Sequence, residues 1–580
     1  MDDQKMDNLL NLAFDSSQEE REKSFDLNVG YDPRTNLWDV IVKYSGELEE
    51  ILEEGMSAVP LLNQYAVMTM TQEKIQRLAQ KERVEYIEKP KRLFFAVFEA
   101  LQASCIRSLQ LPPAGLSGKG VLVGMVDSGV DYRHPDFRKE DGSTRILSLW
   151  DQTVRGTPPR GYQMGAEFTR EQIDQALLSS SEGEGYELVP SRDLSGHGTQ
   201  VLGIAAGNGR ASQGLNRGVA WESDLMVVKL GAPRENSFPR TTELIQGIDY
   251  LIRQSLERNQ PMALNLSFGN NYGSHQGDSL LETYLDSVAT MGRNSICVGT
   301  GNEGSRFVHT SETVKNGEVK EVQLSISSYE SVMNIQLWKA YVDELEIYLI
   351  APSGETAGPF YERLGPQRFL LGNTDILVYY GKPSPFQLTQ EIYMDFIPRD
   401  TYIDQGIWRI RLIGRRVVRG TVNLWLPGGG ALNENTGFYF SSPDITLTIP
   451  STARKVIAVG AYDSAQDTYA EFSGRGYLGA DQFVKPDLAA PGVGITAPSP
   501  GGGYREVTGT SFAAPFVTGS AALMMQWGIL QGRDPYLYGE KLRAYLRRGA
   551  RQIRGLESWP NAQMGYGALC LADSLPQGLV

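Results

Sequence analysis

The chain has 580 residues, 41% of them apolar, a formal charge of −14 and a pI near 5.1. That length exceeds one ordinary hydrophobic core and that apolar content excludes a disordered chain, so two or three domains are expected. The acidic balance argues against a nucleic-acid partner, no run reaches the roughly 18 apolar residues of a membrane span, and three scattered cysteines (Cys105, Cys297, Cys570) without metal-ligand spacing suggest a reduced chain held by packing.

Residues 1–35 are polar and acidic and read as a leader contributing little to any core. They lack the basic start and apolar stretch of a signal peptide, so synthesis in the cytoplasm is expected, with any release by a non-Sec route. Residues 36–96 read as a compact α+β module: a strand at Leu37 to Tyr44, a helix around Leu48 to Met56, a strand near Tyr65 to Thr71, a helix at Gln72 to Ala79 and a strand at Val84 to Ile87. A helical link from Phe94 to Gln110 follows. Residues 97–309 then alternate apolar strands (Val121 to Val126, Leu225 to Lys229, Met262 to Ser267, Ser295 to Thr300) with helices, the pattern of an α/β parallel sheet with functional residues at strand C-terminal ends. Glu140 to Asp193 reads as a long surface insertion. In residues 310–444 at least five alternating runs (Glu321 to Ser327, Asn334 to Lys339, Leu345 to Ile350, Glu391 to Phe396, Trp408 to Ile413) predict an inserted all-β sandwich of jelly-roll type. Residues 445–580 return to the α/β pattern.

Three segments carry chemistry. In the first, the strand Val121 to Val126 delivers Asp127 onto the turn Ser128-Gly129; such a carboxylate can orient a histidine, although an Asp after a strand is more often a turn or cap residue. In the second, Ser195-Gly196-His197-Gly198-Thr199, flanking glycines allow close approach to an imidazole, as a general base requires; a surface histidine on a loop fits the residues equally well. His134, only seven residues after Asp127, is read as structural. In the third, Gly509-Thr510-Ser511-Phe512-Ala513-Ala514-Pro515, a serine at a helix start has its N–H unpaired and the positive end of the helix dipole at hand, so nucleophile and oxyanion donor come from one turn.

Together, in the order Asp, His, Ser, these segments resemble the signature segments of the subtilase family of serine peptidases. The resemblance implies a subtilisin-like parallel-sheet core, Ser511 as nucleophile, His197 as general base and Asp127 as its partner. Cys297-Val298-Gly299-Thr300-Gly301-Asn302-Glu303-Gly304 is similar to the family segment that carries the oxyanion asparagine, which assigns that role to Asn302. Asn265-Leu266-Ser267-Phe268-Gly269 resembles the strand end that pairs with substrate backbone, so Ser267, Phe268 and Gly269, with Gly301 and Thr510, are expected around a bound peptide. Glu303 would then stand at the rim of the S1 pocket and favour a P1 Lys or Arg. Pro450-Ser451-Thr452 and Lys485-Pro486-Asp487-Leu488-Ala489-Ala490-Pro491-Gly492 also resemble core segments of the family.

The N-terminal module is similar to the family's inhibitory propeptide, which implies self-cleavage between Leu93 and Gln102. The string Val84-Glu85-Tyr86-Ile87-Glu88-Lys89-Pro90-Lys91-Arg92-Leu93 and the β-rich insertion resemble the Csp germination-protease group of that family. That resemblance implies a propeptide retained after cleavage and a spore-cortex lytic proenzyme as substrate. The implied partner is a polypeptide, with no nucleic acid, membrane or catalytic cofactor; no metal ligands are assigned, and for the structural calcium common in the family no oxygen cage is legible. Some members of the group are pseudoproteases that have lost triad residues, whereas all three positions are intact here.

Overall fold

The computed structural model describes residues 5–18, 21, 27, 30–90, 96–179, 181–231, 239–363, 365–428, 430–476 and 484–576. They fall into two compact units, Met1–Phe94 and Phe95–Val580.

The first unit is one antiparallel sheet with two helices. Leu37–Tyr44 alternates buried and partly exposed residues, and Trp38, Val40 and Val42 point into the core. It pairs on one side with Tyr65–Met70 and on the other with Val84–Glu88. The helix Gln72–Ala79 lays Ile75, Leu78 and Ala79 on the same core. Two expectations are corrected. Leu48 to Met56 is not a helix but a single 3₁₀ turn, Leu48–Glu50, followed by the strand Ser57–Leu61. Lys81 Nζ captures the carbonyl of Ile51 and Lys74 Nζ that of Glu54, and Gly55 at φ +78° turns the chain out of helical geometry. The stretch read as a leader also enters this core: Met6, Leu10, Ala13 and Leu27 are buried beside Trp38, and the helix Asn8–Asp15 is capped by the Asp7 carboxylate.

The second unit has two cores of different kinds. One surrounds a nine-stranded sheet in the order Thr468–Tyr469, Ile457–Asp463, Asn294–Gly299, Met262–Leu266, Leu122–Asp127, Asp224–Lys229, Ile146–Asp151 and Ala166–Thr169, with Leu488–Pro491 beside Ile457–Asp463. Neighbours are parallel except at the two edges. The central strands are buried along their whole length, as a sheet covered on both faces requires. The supposed surface insertion contributes to this sheet: Ile146–Asp151 pairs in parallel with Asp224–Lys229 and buries Ile146, Leu149 and Trp150, an apolar run short enough to be masked by its polar surroundings.

The helix Thr510–Met525, continued to Leu530, is long and apolar enough to cross a membrane. In this fold 83% of its most apolar stretch is buried, and it packs as the core helix against the parallel sheet and the helix His197–Ala206.

The other core lies between two antiparallel sheets. Six strands run in the order His309–Thr313, Thr421–Trp425, Met333–Ala340, Thr389–Pro398, Thr374–Tyr380 and Gln367–Leu371; five run Thr356–Ala357, Glu344–Ile350, Gly406–Arg416, Val319–Ile326 and Gly437–Phe438. The inward residues of both, among them Ile335, Leu337, Ile392, Met394, Trp408 and Ile410, form one cluster, a sandwich built on period-two alternation.

Cys105 and Cys570 were expected to be reduced; they form a disulfide with Cα atoms 4.8 Å apart. The pairing closes 465 residues of sequence, a separation at which spacing alone carries no signal. Cys297 is buried and free, and burial pushes its thiol up to about 12.

Candidate active site

Three adjacent parallel strands end at the same level. Leu266 lies opposite both Val126 and Val298, so the chain emerges side by side at Asp127, at Ser267 and at Gly299. In parallel α/β sheets the crevice beyond these ends is where chemistry is placed.

Asp127 is fully buried, and its Oδ1 accepts from the Ser128 N–H at 2.7 Å and faces His197 Nδ1 at 2.7 Å. Its other oxygen, Oδ2, is buried without a hydrogen-bond partner. His197 opens its helix after Gly196, which caps it at φ +78°. Gly198 is required by proximity: a Cβ there would stand 2.1 Å from the Gly129 carbonyl, so only glycine lets the histidine turn close on the aspartate turn. Burial disfavours the charged imidazole of His197, but the Asp127 carboxylate, its hydrogen bond and the nearby Asp193 outweigh burial and the opposing Arg505, so the pKa is raised. Arg505 is held by the buried Gln200, whose amide oxygen, assigned to face the guanidinium, accepts from Nε at 2.5 Å and Nη2 at 2.8 Å.

Ser511 occupies the first turn of its helix, where backbone N–H groups have no intrahelical acceptor. Pro515, four residues on, lacks the N–H that would have bonded the Ser511 carbonyl, and Ser267 Oγ donates to that carbonyl at 3.1 Å instead. Ser511 Oγ in turn donates to the Ser267 carbonyl at 3.3 Å and makes no hydrogen bond to His197. The imidazole stands against Phe512 and Phe268, with ring centroids 5.4 and 6.0 Å away, so the hydroxyl and the base share one pocket wall. Nucleophile–base bonds of this kind are often loose without substrate and tighten when it binds.

Asn302 reaches the same turn from the neighbouring strand. Its Oδ1 accepts from the Thr510 N–H at 3.0 Å and from Thr510 Oγ1 at 3.1 Å, which commits the oxygen and leaves Nδ2 as the donor. Gly301, at φ +85°, donates its N–H to Thr510 Oγ1 at 3.1 Å. Gly301, Asn302 and Thr510 thus form one bonded group beside the Ser511 N–H. Gly269 is exposed and stacked so closely on Thr448 that a Cβ would clash with the threonine hydroxyl. Ser267 to Gly269 lie past the last ladder pair, where an extended peptide could add as a strand.

Glu303 departs from expectation. It is 4% exposed, lies under Gly428 and pairs with Arg306 at 3.9 Å, so it is no solvent-facing rim carboxylate for a P1 cation. His134 is structural, as read: it is buried, accepts from the Asp136 N–H and contacts the Gly503 carbonyl.

Sequence reasoning missed Asn265, whose amide donates to Ser267 Oγ at 2.9 Å while its oxygen accepts from Thr518 Oγ1 at 2.9 Å, tying the strand end to the serine helix. A lone amide inside the apolar run Met262 to Leu266 was the available signal. Asp193 was missed as well. Among the described residues no group of three or more His, Cys, Asp or Glu is placed to hold a metal.

The chain is similar to known proteases. The family model described as "Subtilase family" matches residues 118–379 and 431–567, and that described as "Csp protease B prodomain" matches residues 4–91. Among solved structures, the Clostridium perfringens CspB protease is 34% identical with a TM-score of 0.76, covering 82% of this chain and 96% of that one. The minor extracellular protease Vpr of Bacillus subtilis (strain 168) is 22% identical over 489 residues, 80% of this chain and 52% of Vpr. The serine protease AprX of the same organism is 34% identical over 236 residues, 40% of this chain and 43% of AprX. The chain spans about half the length of these two curated relatives.

Proposed function

The chain belongs to the subtilase family of serine peptidases, and from that premise we propose that it is an endopeptidase that cuts peptide bonds through an acyl-enzyme on Ser511 and processes its own N-terminal prodomain. The observation that carries this reading is the 2.7 Å contact between Asp127 and His197 at the strand ends that also deliver Asn302 and flank Ser511.

Ser511 Oγ attacks the scissile carbonyl while its proton passes to His197 Nε2; Asp127, bonded to Nδ1, fixes the tautomer and offsets the imidazolium charge. The carbonyl oxygen becomes an oxyanion held by Asn302 Nδ2 and the Ser511 N–H at the positive end of the helix. Collapse releases the amine, which takes the proton back from His197, and water repeats the sequence to free the acid. All of this runs on protein groups, without a cofactor.

The prodomain match over residues 4–91 supports self-cleavage shortly after it. The window between Leu93 and Gln102 begins outside the described residues. Retention of the cut prodomain and cleavage of a spore-cortex lytic proenzyme are the finer proposals, supported by the likeness to a Csp protease and its prodomain. Intact-mass spectrometry of the wild type and Ser511→Ala tests the reading. It expects a fragment of about a hundred residues, by the position of the window, from the wild type only; two unprocessed proteins, or identical cuts in both, would overturn self-cleavage.

A further inference from the structure

Resting on the proposed peptidase reading, a second carboxylate bears on the proton-transfer pair without touching it. Asp193 lies four residues before His197 and is 5% exposed. Both oxygens are fully engaged. Oδ1 accepts from Ser128 Oγ at 2.9 Å, from the Gly196 N–H at 2.9 Å and from Ser195 Oγ at 3.2 Å; Oδ2 accepts from the Thr199 N–H at 2.8 Å and from Thr199 Oγ1 at 2.7 Å.

These donors come from two pieces of chain. Ser128 follows Asp127, and its Oγ also accepts from the Gly198 N–H at 2.9 Å, one residue past the histidine. Thr199 Oγ1 accepts from the Asp131 N–H at 2.9 Å, which ties the histidine helix back to the end of the aspartate turn. Ser195 Oγ accepts from the His197 N–H at 3.2 Å. The bonds therefore surround the 2.7 Å Asp127–His197 contact, fastening the turn 127–131 to the segment 195–199 on either side of it.

A helix cap would need only the bonds to Gly196 and Thr199. The bond from Ser128 to Asp193 pairs no helix N–H itself and joins the two catalytic segments, although the same Ser128 Oγ also accepts from the Gly198 N–H in the first turn of the helix. We propose that Asp193 is a positioning residue for proton transfer, a buried clamp that holds the aspartate turn and the histidine helix at the spacing at which Asp127 orients His197. Such contacts matter because a misplacement of about 1 Å can cost on the order of 100-fold in rate.

Charged groups near this clamp include Asp127 and Asp131 on the turn, Arg192 just before Asp193 with its guanidinium over the Tyr186 ring, Arg505 from the strand Gly503–Val507, and Lys229, whose ammonium donates to the Arg192 carbonyl and pairs with Asp151. Asp193 is thus one of the negative charges that favour protonated His197.

The test compares the wild type, Asp193→Asn and Ser128→Ala by two readouts: the pH profile of kcat/KM on a peptide substrate, and the NMR signal and titration of His197. For Asp193→Asn the expected result is a loss of roughly 10- to 100-fold in kcat with KM unchanged within about twofold. Its acid limb should move to lower pH, because a carboxylate favouring the imidazolium is gone, and the low-field Nδ1 proton signal of His197 should weaken. Ser128→Ala, the milder change, keeps the Asp193 carboxylate and removes only its tie to the aspartate turn, so it should show the losses in kcat and in the Nδ1 signal in smaller measure while its acid limb stays near that of the wild type. If both variants keep the wild-type acid limb and Nδ1 signal and lose only thermal stability, Asp193 is a structural cap and the proposal is overturned. If no form hydrolyses peptide yet the variants alter the His197 signal and titration, the clamp stands and the peptidase reading falls.

Discussion

The parallel sheet of the second unit is covered by apolar clusters on both faces whereas the β-sandwich encloses a single smaller one, and the two regions differ in where they can gather polar groups. In the parallel-sheet core, the buried side chains of Asp127, Asn265 and Asp193 serve the crevice past the strand termini, while others such as Arg145, Asn294 and Asp487 tie helices and loops elsewhere. In the sandwich they stitch loops: Asp343 accepts from the N–H groups of Val418, Arg419 and Gly420, and Glu330 holds Asn433 and Thr436. Parallel strands present all their C-terminal ends on one side, whereas antiparallel strands divide theirs between two, so topology decides which region can assemble a constellation from distant sequence. The sandwich is joined to the catalytic core through Trp425, stacked between His275 and His309 at 4.3 and 4.8 Å.

That contrast can be broken first where the effect is largest. Ser511→Ala should lower kcat by about 10⁶-fold on a peptide substrate while still melting cooperatively by calorimetry, as an uncut but folded chain. The complementary change in the sandwich is Trp408→Ala, which deletes a fully buried ring packed on Phe396. It should cost about 3–5 kcal/mol of stability by denaturant titration and leave kcat of the folded fraction intact; a matching fall in kcat would show that the two regions are not separable. Asn302→Ala sharpens the point within the crevice, with a loss of roughly 100- to 1,000-fold in kcat and little change in KM.

The junction should respond to acid. Burial lowers both His275 and His309 to about 4. Their unfolded pKa lies near 6.5, so between those values the unfolded chain binds more protons and stability rises with pH. The contribution is fully present above about pH 6.5 and lost as pH falls towards 4, on the order of 3 kcal/mol for each ring. Stability curves at several pH values, with and without His309→Gln, check it. At the small end, Glu303→Gln should change the preference between P1 Lys and P1 Leu by less than about twofold, because the carboxylate is buried beside Arg306.

Much of this was legible in sequence where local pattern decides the outcome. Leu37–Tyr44 and Gln72–Ala79 alternate at their own periods, and the sandwich strands stand within two residues of the alternating runs at most ends. The Asp127, His197 and Ser511 segments carry enough glycine and small residues to be recognised before any contact is known. What escaped depends on distant partners. Ile146–Asp151 becomes a core strand only because Asp224–Lys229 lies beside it, and Cys105 meets Cys570 only through the folded chain. Glu303 looks solvated until Gly428 from the sandwich covers it. Asp193 reads as one more polar residue of a loop, since the donors that define it lie on both sides of the histidine and on the distant turn after Asp127.

The central claim is that the strand ends create one activated serine. Labelling with a fluorophosphonate, followed by peptide mapping, tests it most directly in the wild type, His197→Ala and Asp127→Asn. The account predicts stoichiometric modification of Ser511 alone in the wild type, and labelling slowed by orders of magnitude in both variants. Modification of another serine, or equal rates in all three proteins, would contradict it.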